Sequence, residues 1–193
     1  MLRRLYDWVL RLAEHKHAPS ALFGVSFAES SFFPLPPDLM LVPMVLAERI
    51  KAWRFALITT VGSVLGGILG YFIGAALFET VGQPIVDFYG LSHKMDFVFE
   101  NYKEYGAIIV FIAGFTPIPY KAFTIASGVA GLSLPIFIVA SLVSRGARFF
   151  IVAGLLYLFG ETIKAFIEKY LGILTLVFTV VLIGGFFMIK FLF

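Results

Sequence analysis

Five ionisable side chains lie inside otherwise apolar stretches of the 193-residue chain. They are two acids and three bases: Glu29, Asp38, Lys121, Arg145 and Arg148. Placing a charge in the hydrocarbon core of a bilayer costs on the order of 3 kcal/mol or more, so such residues pair, face the protein interior or line a path. One interpretation is a structural lock, in which Asp38 pairs with Lys121 and Glu29 with an arginine. The other is a site, because three cations against two anions leave room for an anionic ligand such as a phosphate.

The bases have the chemistry of phosphate recognition. Arg145 and Arg148 are three residues apart in "SRGARFF", so a helix would place both guanidinium groups on one face. Each guanidinium can bind two phosphate oxygens at once. A half-helix that starts after "TPIPYK" would direct its free N–H groups to the same place. The predicted substrate-binding residues are therefore Lys121, Arg145 and Arg148.

The acids suit proton coupling or gating. A carboxylate among apolar residues takes up a proton more readily than one in water, and this would couple substrate movement to a proton gradient. Glu29 lies among phenylalanines in "SFAESSFF" and is the stronger candidate, and Asp38 is the second.

The elements that carry these residues are those of a membrane protein. The chain is 60% hydrophobic and 14% charged, whereas soluble domains are about 25% charged. Apolar blocks cover residues 20–47, 55–78, 107–131, 133–159 and 171–193. The second, fourth and fifth have the roughly 20 residues of a membrane-spanning helix. The first and third are broken midway by prolines, namely Pro34, Pro36, Pro37, Pro117 and Pro119.

Charge placement and an internal repeat predict how the broken blocks are arranged. Basic residues flank the first block on both sides, which favours a hairpin that enters and leaves from the cytoplasm. The third block would then enter from the opposite face. The segment "FAESSFFPLPPDLML" aligns with "FIAGFTPIPYKAFTI", with Pro34 on Pro117 and Asp38 on Lys121. Inverted repeats of broken helices are a recurrent transporter architecture, with the site at the breaks.

The predicted fold is thus an all-α integral membrane protein. Two opposed re-entrant helical hairpins form an inverted repeat within residues 20–160, accompanied by about three transmembrane helices. Residues 1–19 are basic and amphipathic, which predicts a helix at the lipid interface, or alternatively a soluble cytoplasmic helix. Residues 161–193 would be a C-terminal transmembrane helix. We expect a multi-pass protein of the bacterial inner membrane with a cytoplasmic N-terminus.

Glycines in the second block predict close helix packing. Gly62, Gly66, Gly70 and Gly74 recur every four residues, a spacing that lets helices approach closely in lipid. Packing against a hairpin or another helix is one use of this stripe, and a homodimer interface is the alternative.

Several kinds of chemistry lack a signal in the sequence. There is no cysteine, and the three histidines have no metal-ligand spacing. Hydrolase, metalloprotease and nucleotide-binding motifs are missing, as is any basic–aromatic array for nucleic acid. We therefore predict no enzyme activity, no catalytic residues, no metal and no cofactor.

Three segments together resemble the DedA/VTT family of membrane proteins, and most closely its YqaA-like branch. They are "FAESSFFPLPPD", "GFTPIPYKAFTIASGVAG" and "SRGARFF". The resemblance covers roughly residues 20–160. It implies opposed re-entrant hairpins and movement of lipids between leaflets, as in the related lipid scramblases. Undecaprenyl phosphate and phospholipids are the substrates that it suggests, with dependence on the proton-motive force.

Individual positions both match and depart from that family. The acids of the first hairpin match Glu29 and Asp38. The better-studied DedA branch has an Arg-Phe-x-Pro-x-x-Arg pattern in the second hairpin, where this chain has Gly114 and Tyr120 in place of the arginines. Lys121, Arg145 and Arg148 would supply the positive charge instead.

The predicted function is a flippase-like or scramblase-like lipid transporter whose partners are membrane lipids and protons. Two other functions are compatible with the same residues. A proton-coupled transporter of a small soluble solute would use the same charges around a closed aqueous cavity. A membrane scaffold without transport would tolerate the loss of both acids.

Overall fold

A computed structural model describes residues 17–32, 36–82, 84, 92–116, 119–160 and 162. Residues 1–16 of the predicted interfacial helix, residues 161 and 163–193 of the predicted C-terminal transmembrane helix, Pro34 and Pro117 lie outside these residues. The described residues are almost entirely helical and include no strand, as the sequence predicts.

Within the described residues, six α-helices form two successive sets of three. The first set is α1 (Ala18–Ser31), α2 (Asp38–Ala47) and α3 (Ala52–Leu77). The second is α4 (Ser92–Phe115), α5 (Tyr120–Val129) and α6 (Leu134–Gly160). A short 3-10 helix, Arg49–Lys51, leads into α3, and a π-helical turn, Phe78–Gly82, follows it. Each set therefore consists of a pair of helices separated by a proline-containing break and then a long helix.

Two of these helices are long and apolar enough to cross a membrane. The helical segment around α3 runs over Arg49–Thr80, and α6 has 27 residues. At 1.5 Å per residue they extend for about 48 Å and about 40 Å, against a hydrocarbon core of roughly 30 Å. The composition and length of these helices are consistent with a membrane protein.

Local sequence explains where the helices begin and end. Pro19 is in the first turn of α1, where its missing N–H costs nothing. Asp38 is the first residue of α2, and its negative charge is favourable at that end of the helix dipole. After α5, Gly131 has a φ of +64°. The N–H groups of Gly131 and Leu132 bond back to Gly128 and Ser127, which stops the helix in a left-handed cap.

The first helix pair, α1 and α2, folds back beside the first half of α3. Along α3, Gly62 lies against Phe23 and Gly66 against Phe27, so the two helices run in the same direction. The end of α1 thus lies beside the middle of α3. Helix α2 returns from there, and Leu41, Met44 and Val45 pack in one cluster with the starts of α1 and α3 and the last turns of α6.

The second helix pair, α4 and α5, bears the same relation to α6. Gly106 lies against Leu132 and Gly114 against Ser144, so α4 runs in the direction of α6 and ends beside its middle. The start of α6 packs with the second half of α3 in a cluster that contains Tyr71 and Phe137, whereas the end of α6 packs with the first half. Because α3 and α6 are antiparallel, the two sets are inverted with respect to each other.

The glycine stripe of α3 brings both helix pairs close to this helix. A Cβ on Gly66 would overlap the carbonyl oxygen of Phe27 in α1, and one on Gly74 would overlap the carbonyl oxygen of Ile125 in α5. The prediction of tight packing against a hairpin or helix is therefore confirmed. A homodimer stays a prediction.

Candidate functional site

Four of the five predicted site residues meet near the middle of α6, where the two broken helix pairs approach it. Arg145 and Arg148 project from this helix, halfway along its 27 residues. Both acids come from the first helix pair: Glu29 is near the end of α1 and Asp38 starts α2. The four side chains form two ion pairs.

The first ion pair joins Arg145 to Glu29 in the interior. Arg145 Nη2 donates to Glu29 Oε2 at 2.7 Å, and the two side chains are 4% and 13% exposed. Arg145 Nε donates to Ser63 Oγ at 2.6 Å. This pair therefore ties α6 to both α1 and α3.

Two serine hydroxyls close this contact into a ring of hydrogen bonds. Ser30 Oγ donates to Glu29 Oε2 at 3.0 Å, and the oxygens of Ser30 and Ser63 are 2.7 Å apart. Because the single proton of Ser30 is used on Glu29, Ser63 must be the donor to Ser30. The ring then runs from Arg145 to Ser63, to Ser30, to Glu29 and back, with every hydroxyl proton used.

Aromatic rings cover the remaining faces of Arg145. Its guanidinium carbon lies 4.8 Å from the ring centre of Tyr120 and 4.6 Å from that of Phe149. Cation–π contacts of this kind stabilise a desolvated guanidinium. Tyr120 is itself held by a hydrogen bond from its hydroxyl to Ser141, so α5 also contributes to the enclosure.

The second ion pair joins Arg148 to Asp38 and reaches both helix breaks. Arg148 Nη2 donates to Asp38 Oδ2 at 2.7 Å, and Nη1 donates to the backbone oxygen of Thr116 at 2.8 Å. Thr116 directly follows the last turn of α4. Because the helix ends here, its carbonyl has no intrahelical N–H partner. One guanidinium thus bridges the start of α2 and the end of α4.

The two pairs differ in burial and in how completely they are satisfied. Arg148 and Asp38 are 20% and 26% exposed, against 4% and 13% for Arg145 and Glu29. Arg148 Nε is buried and has no hydrogen-bond partner among the described residues. The inner pair is therefore closed, and the outer pair is partly open and incompletely bonded.

Lys121 lies in the first turn of α5 and is partly buried. The sequence-based interpretation paired Asp38 with Lys121, but the structure pairs Asp38 with Arg148 instead. No ion pair joins Lys121 to Asp38 within the described part of the chain. The reason is reach: Arg148 extends from the middle of α6 to Asp38 and Thr116 together. The expectation that Glu29 pairs with an arginine is confirmed.

The prolines of the breaks that the structure describes flank this cluster. Pro36 and Pro37 precede α2, with Pro37 as its N-cap, and Pro119 caps α5. They cannot donate a backbone hydrogen bond, so they occur where a helix has just ended or is about to begin.

Some site residues carry no strong signal in the sequence. Ser30, Ser63 and Tyr120 complete the enclosure of Arg145, and the Thr116 carbonyl binds Arg148. Polar hydroxyls in apolar helices are the usable hint for the serines. The Thr116 carbonyl is predictable only as an unpaired helix end. No group of three or more acidic, histidine or cysteine side chains suitable for a metal occurs in the described residues.

The two positions that differ from the DedA arginine pattern both adjoin Arg145. A Cβ on Gly114 would lie against Ser144 and 3.5 Å from Arg145 Cγ, and the Tyr120 ring covers the guanidinium. In this chain α6 therefore supplies the positive charge at this place.

Comparisons with known proteins identify the family of the chain. The model of the VTT domain matches residues 35–158. An uncharacterized protein of Haemophilus influenzae is 37% identical over 186 residues, or 96% of each chain. An uncharacterized protein of Histophilus somni is 36% identical over 151 residues, or 78% of each chain. One from Methanocaldococcus jannaschii is 25% identical over 128 residues, which cover 66% of this chain and 76% of that protein. No solved structure matches the chain. The chain belongs to the VTT-domain (DedA) family of membrane proteins.

Proposed function

We propose that this protein moves a phosphate-bearing lipid, such as undecaprenyl phosphate or a phospholipid, between the leaflets of the bacterial inner membrane. The headgroup passes the place where the two helix breaks meet, and the acyl chains stay in the bilayer. The protein works as a flippase-like or scramblase-like transporter and not as an enzyme.

The observation that carries the proposal is the bridge made by Arg148. Its guanidinium binds Asp38 at the first break and the Thr116 carbonyl at the second, at half the length of a helix long enough to span the membrane. A charge at such depth marks a substrate or ion pathway in membrane proteins. Transporters built from inverted repeats place their sites at broken helices near the midplane.

The same geometry supports the topology that the proposal assumes. In the proposal, the helix pairs α1–α2 and α4–α5 are re-entrant hairpins that enter from opposite faces, with the N-terminus in the cytoplasm. The support is that α1 and α2 pack beside the first half of α3, that α4 passes the start of α6 at Gly106 and ends beside its middle, and that the long helices are antiparallel.

The five charged residues have separate roles in this proposal. Arg148 and Lys121 are partly exposed and attract the headgroup phosphate. Asp38 gates the site and carries the proton. Glu29 and Arg145 are enclosed by the hydrogen bonds of the two serines and by two aromatic rings. Arg145 therefore holds the first helix pair in place, and Glu29 balances the charge of Arg145.

The test is lipid movement in proteoliposomes. Purified protein is reconstituted with fluorescent phosphatidylglycerol, and the fraction of label accessible to an external reductant is followed with and without a pH gradient. We expect faster exchange than in empty liposomes and at least about tenfold slower exchange for Asp38→Asn. Arg54→Gln, which removes an exposed arginine at the start of α3, should behave as the wild type.

Three outcomes would contradict the proposal. Exchange no faster than in empty liposomes under both conditions would exclude lipid movement. Uptake of a soluble phosphate ester without lipid exchange would favour a solute transporter. If the Asp38→Asn and Glu29→Gln variants, at normal expression, both complemented cells that lack the protein as well as the wild type does, the acids would have no part in transport, as in a membrane scaffold.

A further inference from the structure

The guanidinium of Arg148 is only half used by its carboxylate. Nε and Nη2 lie on one edge of a guanidinium, and this edge matches two oxygens of a carboxylate or phosphate. Asp38 Oδ2 takes Nη2, whereas Nε is buried with no partner among the described residues. Nη1, on the other side, is used by the Thr116 carbonyl.

An unfilled donor at this position is unusual, because buried polar groups are nearly always hydrogen-bonded. The inner arginine shows the contrast. Arg145 uses Nε on Ser63 and Nη2 on Glu29, so the same edge is fully occupied. The unpaired Nε is therefore particular to Arg148 and is not shared by Arg145, the other arginine of α6.

We propose that the Nε–Nη2 edge of Arg148 is the seat of a phosphate ester and that Asp38 occupies it in competition with that ligand. The inference deepens the proposed transport function and rests on it, because it identifies the group that the site recognises. A phosphate monoester or diester has at least two non-bridging oxygens for the two donors. Asp38 leaves the edge as the ligand arrives, so that one anion replaces another on the guanidinium.

The surroundings favour such an exchange at Arg148 and not at Arg145. Arg148 and Asp38 are 20% and 26% exposed, and the contact with Thr116 keeps the guanidinium oriented when Asp38 leaves. The partly buried Lys121, in the first turn of α5, adds positive charge near the second break. Arg145 is enclosed by Glu29, Ser63, Tyr120 and Phe149.

The experiment measures binding of defined phosphate esters to the whole protein in detergent, by titration calorimetry. The probes are dioctanoyl phosphatidylglycerol, dimethyl phosphate as the headgroup chemistry alone, and dioctanoylglycerol as the tails alone. Asp38→Asn removes the competing charge and should bind phosphatidylglycerol about tenfold more tightly than the wild type. Arg148→Lys keeps the charge but loses the two-donor edge, and should bind about tenfold less tightly.

The controls distinguish binding at this site from nonspecific binding and from unfolding of the variants. Arg54→Gln should bind as the wild type, and dioctanoylglycerol should show no saturable binding. Thermal unfolding of each variant verifies that it is folded. An Asp38→Asn protein that is folded and binds no more tightly than the wild type would overturn the competition, and unchanged binding by Arg148→Lys would overturn the seat.

The probes also separate this inference from the proposed function. If dimethyl phosphate binds as tightly as phosphatidylglycerol, the seat stands but a soluble phosphate ester is its ligand, and lipid transport fails. If phosphatidylglycerol binds more tightly and both variants behave as expected, the seat belongs to a lipid headgroup, whatever rate the transport assay gives.

Discussion

The inner ion pair should contribute far more to stability than the outer one, and truncating each acid tests this. Glu29 accepts hydrogen bonds from Arg145 and Ser30, and its pair is almost wholly buried, at 4% and 13% exposure. Glu29→Ala leaves a buried, unpaired guanidinium, which costs about 3–5 kcal/mol. Asp38→Ala breaks a more exposed pair and leaves Arg148 bonded to Thr116, so we expect about 1 kcal/mol.

These free energies translate into separable melting temperatures. For a chain of this size, 1 kcal/mol shifts Tm by about 2–4 °C. Glu29→Ala should therefore lower Tm by about 6–20 °C and Asp38→Ala by about 2–4 °C. The measurement is thermal unfolding of the detergent-solubilised protein, followed by circular dichroism.

A second substitution shows whether the loss comes from the stranded charge. Replacing a buried ion pair by apolar residues is often close to neutral, so Glu29→Ala combined with Arg145→Met should recover part of the lost Tm. Equal losses for Glu29→Ala and Asp38→Ala would refute the distinction between the two pairs. A double variant less stable than Glu29→Ala alone would refute the account of the stranded charge.

Two further predictions concern packing around the site. Gly74→Ala should destabilise the protein by about 1–3 kcal/mol, because its Cβ would overlap the Ile125 carbonyl oxygen, whereas Gly24→Ala meets nothing within 4 Å and should be neutral or slightly stabilising; thermal unfolding compares the two, and equal effects would contradict the close approach. Tyr120→Phe keeps the ring on Arg145 but loses the hydrogen bond to Ser141, so it should cost about 1 kcal/mol in unfolding free energy and leave lipid exchange unchanged. A loss of exchange in Tyr120→Phe would show that the hydroxyl has a role in transport.

The general architecture is predictable from the sequence because it depends on local sequence features. Prolines are unfavourable in the interior of a helix, and the clusters that contain Pro36 and Pro119 in their blocks reveal two similar breaks, although the isolated Pro43 lies within α2. Charge inside an apolar stretch is costly in any fold, so Glu29, Asp38 and Arg145 stand out from sequence alone. The two sets of helices follow from these rules without knowledge of their contacts.

The pairing of charges is not predictable in the same way. Asp38 and Lys121 align in the repeat, which made them the natural partners from sequence. In the structure Asp38 pairs with Arg148, because α6 passes beside both helix breaks. This arrangement depends on how helices that are far apart in sequence pack together. The spacing of Arg145 and Arg148 predicts that they lie on one side of a helix, and both project from α6 toward the first helix pair, but the spacing does not predict that they bind different acids.

The division of charge between the two sets of helices limits how they can move. Both acids belong to the first helix pair, and both arginines belong to α6 of the second set. Any relative movement of the two sets must therefore carry or break both pairs. The inner pair is closed by Ser30, Ser63 and two aromatic faces, so breaking it would strand a desolvated charge. In the proposed exchange, the outer pair replaces its carboxylate by another anion while Thr116 still holds Arg148. The geometry therefore favours a fixed contact at Arg145 and exchange at Arg148, and a lipid phosphate that takes the place of Asp38 would pass the site without leaving either arginine unpaired.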